Sequence, residues 1–414
     1  FCDGLPEFEA LVRARTAAEW ARAADATEAQ VAFLADCLHD GPTAILVGWG
    51  MQRRVRGGAT VRALDALCAL SGNLFRSGGG CSFYFKRRKA FAPFAPDVTP
   101  PRVIREPLLA EDLLAADPKV RLMWVTAGNP VAMLPDSTTV SAALAGLEHL
   151  IVADVFLTET AARADLVLPV PSLLEDDDLL GAYGHHWIGE SRPVVSPPPG
   201  VLHEVRIFQE LAKRLGLASY PQDSIDDCKR RALAAVAPLG LSLEALRAAG
   251  GTLRSPVSPP VLFGDGTVRT HNGKVQLMGQ MPAVPELEGP EAIRGGSAPL
   301  WLFSNSTEKS QASIWSGQGL GERTWIAVHP DAVPGLAHGD VVRVVSQTGE
   351  LQAELRLDPQ QRRDSAIMPK GGSFDRGHAA NALIRARATD LGLGAAYLDC
   401  LVRIAPLAAA AGAT

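Results

Sequence analysis

The segment "VRLMWVTAGNP", residues 120–130, sets the fold. A short apolar run stops at a Gly-Asn-Pro turn, and a helical pattern with a Ser/Thr start, "STTVSAALAGLEHL", follows it. "LIVADVFLTETAARADLVLPV", residues 150–170, then reads as strand, short helix, strand. Runs this short and this apolar suit strands buried on both faces, and helical crossovers between them make a parallel α/β unit. An earlier unit has the same grammar. Phe8, Leu11 and Val12, then Val31, Leu34, Ala35 and Leu38, recur at helical spacing until Gly41-Pro42 ends the run. "AILVG" (44–48) is a strand, and "ATVRALDALCALSGN" a helix with Leu64, Leu67, Cys68 and Leu70 on one face.

From residue 299 the texture changes. "PLWLFS", "WIAVHP", "DVVRVVSQTGELQAELRLD" and "SAIMPK" are short strands between turn signals, with "SQTGE" as a hairpin turn. The predicted fold class is therefore α/β: Rossmann-like parallel-sheet nucleotide-binding domains followed by a C-terminal six-stranded, double-psi-type β-barrel. Expected boundaries are 1–100 for the end of a first α/β domain, 101–220 for a second, 221–295 for a helical and irregular excursion, and 296–414 for the barrel.

Composition narrows the function. A formal net charge of −5 over 414 residues gives no global attraction to nucleic acid, so any anion site has to be local. The cysteines at 2, 37, 68, 81, 228 and 400 form no CxxC pair, which leaves neither a zinc knuckle nor an iron–sulfur ligand run. No run of eighteen apolar residues is present, so no membrane span is predicted. The chain opens at Phe1 directly into an amphipathic pattern, and is expected to begin partway through a larger protein.

Five stretches could carry chemistry. "VGWGMQRRVRGG" (47–58) ends a strand in spaced glycines, with Arg53, Arg54 and Arg56 as fork-shaped donors and Trp49 as a stacking surface. A solvated basic turn is the competing reading, and the spacing is not that of a GxGxxG fingerprint. "TAGNP" (126–130) offers close backbone approach and the Asn129 amide, or is an ordinary turn. In "VADVFLTETAARADLVLP", Asp154 closes a buried strand, beyond whose carboxyl end ligands of open α/β sheets bind. Its two oxygens suit the donor fork of a guanine, or a helix cap; Glu159 and Asp165 are expected to cap or face solvent. "EDDDLLGAYGHHWIGESRP" (175–193) holds an acid run, read by default as solvated, and the adjacent His185 and His186, which an extended chain points to opposite faces. "FSNSTEKSQAS" (303–313) and "PKGGSFDRGHAANALI" (369–384) are dense in hydroxyls and amides at strand ends.

As an ordered set, these stretches resemble the molybdopterin oxidoreductases of the dimethyl sulfoxide reductase type. The matching pieces are Gly48 to Asn73, "AGNP", "VADVFLTETAARADLVLP" through Glu175, and the tail's "DAVPGLAHGDVVRVVSQTGE" with "GHAANALI". The resemblance implies two molybdopterin guanine dinucleotides holding molybdenum or tungsten, and two-electron redox or oxygen-atom transfer. It further implies that Trp49 and Arg53 line the first dinucleotide, and that Asn129 and Asp154 hold the second, with Asp154 near the guanine. Asp176 and Glu204 would make further nucleotide contacts. Ser304, Ser306, Ser310 and Gln311 would meet pterin or phosphate from the barrel, and Asn381 a pterin edge. Lys274 is expected to be structural, and His185, His186 and Trp187 to face a substrate funnel. The cofactor is expected in a crevice where the domains meet.

The departures matter equally. No segment here matches the family's iron–sulfur run or its protein ligand to the metal, so no catalytic or metal-ligating residue is assigned. A 4Fe–4S cluster is expected only if a missing N-terminal half, or a separate chain, supplies it; an electron-transfer subunit is a further expected partner, and nucleic acid is not. The alternative reading is a non-catalytic scaffold or complex subunit that keeps the fold without the metal centre. A nicotinamide dehydrogenase fits less well, given the missing fingerprint and the barrel tail. Substrate and compartment, cytoplasmic or periplasmic, are left open by the residues present.

Overall fold

Each apolar run that stops at a turn becomes a short strand, and each 3.6-period stretch a helix, in the computed structural model of the protein. The structure describes residues 1–82, 91–92, 99–181, 184–257, 261, 263–280, 296–308, 311–314 and 323–407. The chain divides into two compact units. One comprises 1–51, 58–101 and 171–283, and the other 52–57, 102–170 and 284–414.

The first unit opens with β1 (Cys2–Asp3) and helices α1 (Leu5–Arg13), α2 (Ala17–Ala23) and α3 (Glu28–Asp40). Thr16 and Thr27 start α2 and α3 with complete capping boxes, their hydroxyls accepting from the backbone N–H of Glu19 and Gln30 while those side chains accept in return. β2 (Ala44–Leu46) follows, then α4 (Trp49–Gln52), α5 (Gly57–Leu70) and β3 (Gly80–Ser82), which pairs in parallel with β2, Ile45 beside Cys81. Asn73, the stop residue after α5, is fully buried. Its oxygen accepts from Thr43 N at 2.7 Å and its nitrogen donates to Leu38 O at 2.9 Å, so it ties the end of α3 to the start of β2.

Further along, β7 (Asp178–Gly181), β8 (Trp187–Ser191) and β9 (Thr252–Arg254) form an antiparallel sheet, with Leu180 opposite Gly189 and Ile188 opposite Leu253. Helices α9 (Glu204–Arg214), α10 (Ile225–Ala232) and α11 (Leu243–Ala248) belong to the same unit, and Ile188, Leu233, Val236, Leu241 and Leu243 form its core. β10 (Val275–Gln276) returns to pair with β1. The acid run expected to be solvated is partly engaged. Asp177 pairs with Lys229, whose side chain is 4% exposed, and Lys229 also reaches Glu190 at 2.9 Å. A buried ammonium has to find carboxylates, and this one draws Asp177 inward.

The second unit begins its main run with α6 (Leu109–Ala115), β4 (Leu122–Thr126), α7 (Pro130–Met133), α8 (Ser137–Ala145), β5 (His149–Asp154) and β6 (Leu166–Pro169). The three strands are parallel in the order β4-β5-β6, with Trp124 beside Ile151 and Val152 beside Val167. Leu109, Leu113, Val125, Val140, Leu144, Leu150 and Val152 form their core. The same unit carries β11 (Leu300–Asn305), β12 (Thr324–Val328), β13 (Val341–Val345), β14 (Glu350–Leu357), β15 (Ser365–Pro369) and β16 (Leu401–Pro406). They close into a six-stranded barrel in the order β11-β15-β12-β14-β13-β16. Two neighbours, β11 with β15 and β12 with β14, are parallel; the other pairs are antiparallel. Closure removes the free strand edges. The alternation read from the sequence is the inward face: Leu351, Ala353 and Leu355 of β14 are buried with Leu302, Ile326, Val344 and Met368. The parallel α/β sheets and the barrel agree with the fold expected from the sequence. Among the described residues no helix is long and apolar enough to cross a membrane.

Candidate functional site

The arginine segment that raised the question of an anion lies in the second unit, held by the loop that precedes β16. Leu398 N donates to Arg53 O at 3.0 Å, and Asp390 N to Val55 O at 2.8 Å. The carboxylate of Asp399 accepts from Val55 N at 2.5 Å and from the Arg54 guanidinium at 3.1 Å. Arg54 is therefore clasped by an acid far along the chain. Arg53 differs. Its guanidinium lies over the Tyr397 ring, 4.9 Å from the centroid. Its charge also bears on Lys370, directly after β15, whose ammonium is pushed down, first by burial and then by Arg53.

Tyr397 links this pair to the parallel sheet. Burial pushes its hydroxyl up to about 12, so it stays protonated and donates to Met133 O at 2.7 Å. The amide nitrogen of Asn381 donates to the same carbonyl at 2.7 Å and to Ala132 O at 3.0 Å. These are last-turn carbonyls of α7, which lack partners within the helix. The turn that starts α7 is fixed by Asn129, which is 2% exposed. Its nitrogen donates to Glu159 at 2.8 Å, and its oxygen accepts from Thr160 Oγ1 at 2.8 Å and Thr160 N at 3.2 Å. Glu159, expected to cap or face solvent, is instead buried against that amide, because Asn129 needs an acceptor there. Arg163 donates to Glu159 O at 2.8 Å and pairs with Asp375 at 2.5 Å.

Asp154 is the last residue of β5, at the carboxyl end of the sheet, and accepts from Phe156 N at 3.0 Å. Next to it, Ala127 N donates to Ala153 O at 2.9 Å, which holds the β4 turn beside the β5 turn. Arg53, Asn381, Asn129 and Asp154 thus lie on one connected framework of the second unit. From the barrel, Ser304 is buried on β11 beside Met368, while Ser306 and Gln311 are exposed beyond the strand end. Ser310 lies outside the described residues. Ala312 forms a parallel bridge with Gly371, whose φ of +100° and close approach to the Ala312 backbone no side chain could share.

The remaining candidates are in the first unit. Trp49 opens α4 and is 39% exposed. Asp176 lies 3.1 Å from His203 Nε2; His203 caps α9, and Glu204 is that helix's first residue. Lys274 lies 3.6 Å from Asp3, next to the β1–β10 pairing. Among the described residues no group of three His, Cys, Asp or Glu could hold a metal ion. Sequence reasoning did not single out Lys370, Tyr397 or Asp399. The available signal was an acid inside an apolar run, "YLDCLV", where an unpaired carboxylate would not persist.

Two family models match. One, described as "Molybdopterin oxidoreductase", covers residues 13–214, and the other, "Molydopterin dinucleotide binding domain", covers 304–401. This chain belongs to the molybdopterin oxidoreductase family. Among similar proteins, the "Probable oxidoreductase YyaE" of Bacillus subtilis is 27% identical, over 96% of this chain and 63% of its own length. The "Dimethyl sulfoxide/trimethylamine N-oxide reductase" of Cereibacter sphaeroides is 23% identical, over 86% of this chain and 52% of its own. The chain spans about half to three-fifths of the length of these relatives. The solved structure of "Acetylene Hydratase from Pelobacter acetylenicus" shares the fold, with a TM-score of 0.59 at 20% identity, covering 73% of this chain and 46% of that one. The residues present suit a phosphate-bearing group: the charge of Arg53 bears on the buried Lys370 directly after β15, and two cations that repel one another favour an anion.

Proposed function

We propose that this chain forms part of a molybdopterin-dependent oxidoreductase and contributes to the binding of two pterin guanine dinucleotides around molybdenum or tungsten. The observation that carries this reading is the Arg53 guanidinium, which lies over Tyr397 4.9 Å from its ring centroid, Tyr397 donating in turn to the Met133 carbonyl, and whose charge also bears on the buried Lys370. When bound, the cofactor supplies two-electron redox chemistry, oxygen-atom transfer included; the protein contributes placement and electrostatics.

Arg53 and Lys370 would hold phosphate oxygens, and the anion would relieve their mutual repulsion. Asp154 would accept from the N1–H and amino donors of a guanine. Ser304, Ser306 and Gln311 would donate from the barrel side to phosphate or pterin, and Ser310 is assigned the same part on its sequence alone. Asn129 and Asn381 have their amide nitrogens committed to Glu159 and to the α7 carbonyls, so their part is to fix the turns that border the site. Trp49, Asp176 and Glu204, which belong to the first unit, would be nucleotide contacts of that unit. The remainder of a full-length oxidoreductase, in the same chain or another, would supply the metal's protein ligand and any 4Fe–4S cluster, and an electron-transfer subunit would follow.

The native assembly tests this directly. Molybdenum or tungsten is expected by elemental analysis, with two guanine nucleotides released by acid per metal atom. Folded protein with neither would favour the scaffold reading. Reversing both charges, Arg53→Glu with Lys370→Glu, is expected to lower metal and guanine content at least about tenfold, since opposing a bound anion with like charge costs several kcal/mol. Unchanged content in a folded variant would remove the role assigned to the pair.

A further inference from the structure

We propose that Cys68 and Cys81 form a dithiol modification site, which a low-molecular-weight disulfide oxidises to one intramolecular disulfide. Cys68 lies on α5 and is 0% exposed, Cys81 is the central residue of β3 and half-buried, and both are free thiols. They stand thirteen positions apart in the chain, yet their side chains meet. The Cys81 thiol donates toward two acceptors, the Cys68 sulfur and the carboxylate of Asp65, which sits one helical turn before Cys68 on the same face of α5. Among the described residues no group of three His, Cys, Asp or Glu could hold a metal ion, so Asp65 and the two thiols are not a metal site.

The backbone holds the two residues in place independently of their side chains. Asn73 N donates to Cys68 O at 2.9 Å, Asn73 Oδ1 accepts from Thr43 N at 2.7 Å, and Thr43 O accepts from Gly80 N at 3.2 Å. Cys81 then pairs beside Ile45 in the β2–β3 ladder. A Cβ at Gly79 would lie 2.4 Å from Asn73 O, so the chain entering β3 passes directly against the end of α5. The two thiols thus sit on elements already fixed to one another, and a bond between them draws no distant segments together.

The chemistry sets the order of steps. Burial first, then the Asp65 charge and the neighbouring Cys68, push the Cys81 thiol up to about 12, and burial raises that of Cys68 as well. Thiolate is scarce at neutral pH, so the site reacts slowly there. A thiol held protonated is also a poor leaving group, so the disulfide resists reduction once it has closed. Cys81 is the accessible partner. Its thiolate attacks the small disulfide and releases one thiol; the Cys68 thiolate then attacks the Cys81 sulfur of the mixed disulfide and releases the second. The two cysteines lose two protons and two electrons, and the small disulfide is reduced to two thiols.

Oxidised glutathione at mildly alkaline pH tests the proposal on the native protein. After treatment the protein is unfolded in iodoacetamide and digested with trypsin, which cuts between the two cysteines after Arg76. The expected product is a peptide pair joined through Cys68 and Cys81, two hydrogens lighter than its thiol form and separated by dithiothreitol. Two alkylated thiols, a mixed disulfide left standing at Cys81, or a bond from either residue to another cysteine would overturn the proposal. Cys81→Ser is expected to leave Cys68 as a thiol under the same treatment, because Cys81 is the point of entry; a mixed disulfide at Cys68 in that variant would overturn the relay. In the oxidised protein, amide exchange at Asn73 and Gly80 is expected to slow at least about tenfold. Unchanged exchange would mean that the bond had formed outside the native arrangement, and would overturn the proposal as well.

Discussion

Substitution of Gly371 by alanine isolates the close approach that shapes the barrel's strand-end loop. Gly371 sits at φ +100° and bridges Ala312. A Cβ there would fall on the Ala312 carbonyl oxygen, 2.5 Å from the carbonyl carbon and 3.0 Å from the Cα, and all three are backbone atoms that cannot rotate away. The oxygen would lie 1.5 Å from that Cβ, where contacts under 3.0 Å are essentially never seen, so the two segments would have to part by about 1.5 Å and the bridge would break. Positive φ costs an L-residue roughly 1–2 kcal/mol. Forcing an extra group into packed structure adds about 1–3 kcal/mol. Gly371→Ala is therefore expected to lose about 2–5 kcal/mol. Gly339, at φ +90° with nothing within 4 Å of its built Cβ, is the control for the first effect alone. Gly339→Ala should lose roughly 1–2 kcal/mol. Urea unfolding followed by tryptophan fluorescence, with Trp301 and Trp325 on barrel strands, measures both. Equal losses within about 0.5 kcal/mol would refute the close contact, because strain would then account for everything.

Asn381→Ala removes two donors from the buried end of α7 and is expected to cost about 1–3 kcal/mol in thermal unfolding. Tyr397→Phe should cost less, and the double variant should be non-additive, because both donors share the Met133 carbonyl. Glu190, 1% exposed between Lys229 and Arg247, is expected to be the most sensitive acid of the first unit; Glu190→Gln should cost about 3–5 kcal/mol. The Arg247 hydrogen bonds, then Lys229, hold its carboxyl below the usual glutamate range. A carboxyl lowered on folding stabilises the protein above its unfolded value, about 4.3, and that stability goes as pH falls through the lower folded value. Acid unfolding of the wild type should show this loss, and the Gln variant should lack it.

What the sequence disclosed follows from how far each signal travels along the chain. β4, β5 and β6 are legible because an apolar run between turn residues is a local pattern, and β14 because alternation is local too. β3, Gly80–Ser82, is too short and glycine-rich to announce itself; only its pairing with β2 makes it a strand. At the candidate site, Arg53, Asp154 and Asn381 stood out through residue type and position at strand ends. Lys370 and Tyr397 did not, since a lysine or a tyrosine carries no meaning until its neighbour is known. The separate fates of Arg53 and Arg54, adjacent and chemically identical, could be read only once Asp399 had arrived beside one of them.

That arrival has a timetable. Arg54 and Asp399 are 345 positions apart, so the ribosome finishes the arginine segment long before it makes the acid that clasps it. At about 5–20 residues per second the delay is roughly 17–70 s. Throughout that interval the guanidiniums project from a nascent chain with no barrel to receive them. The barrel can close only after β16, the strand that follows the acid, has emerged.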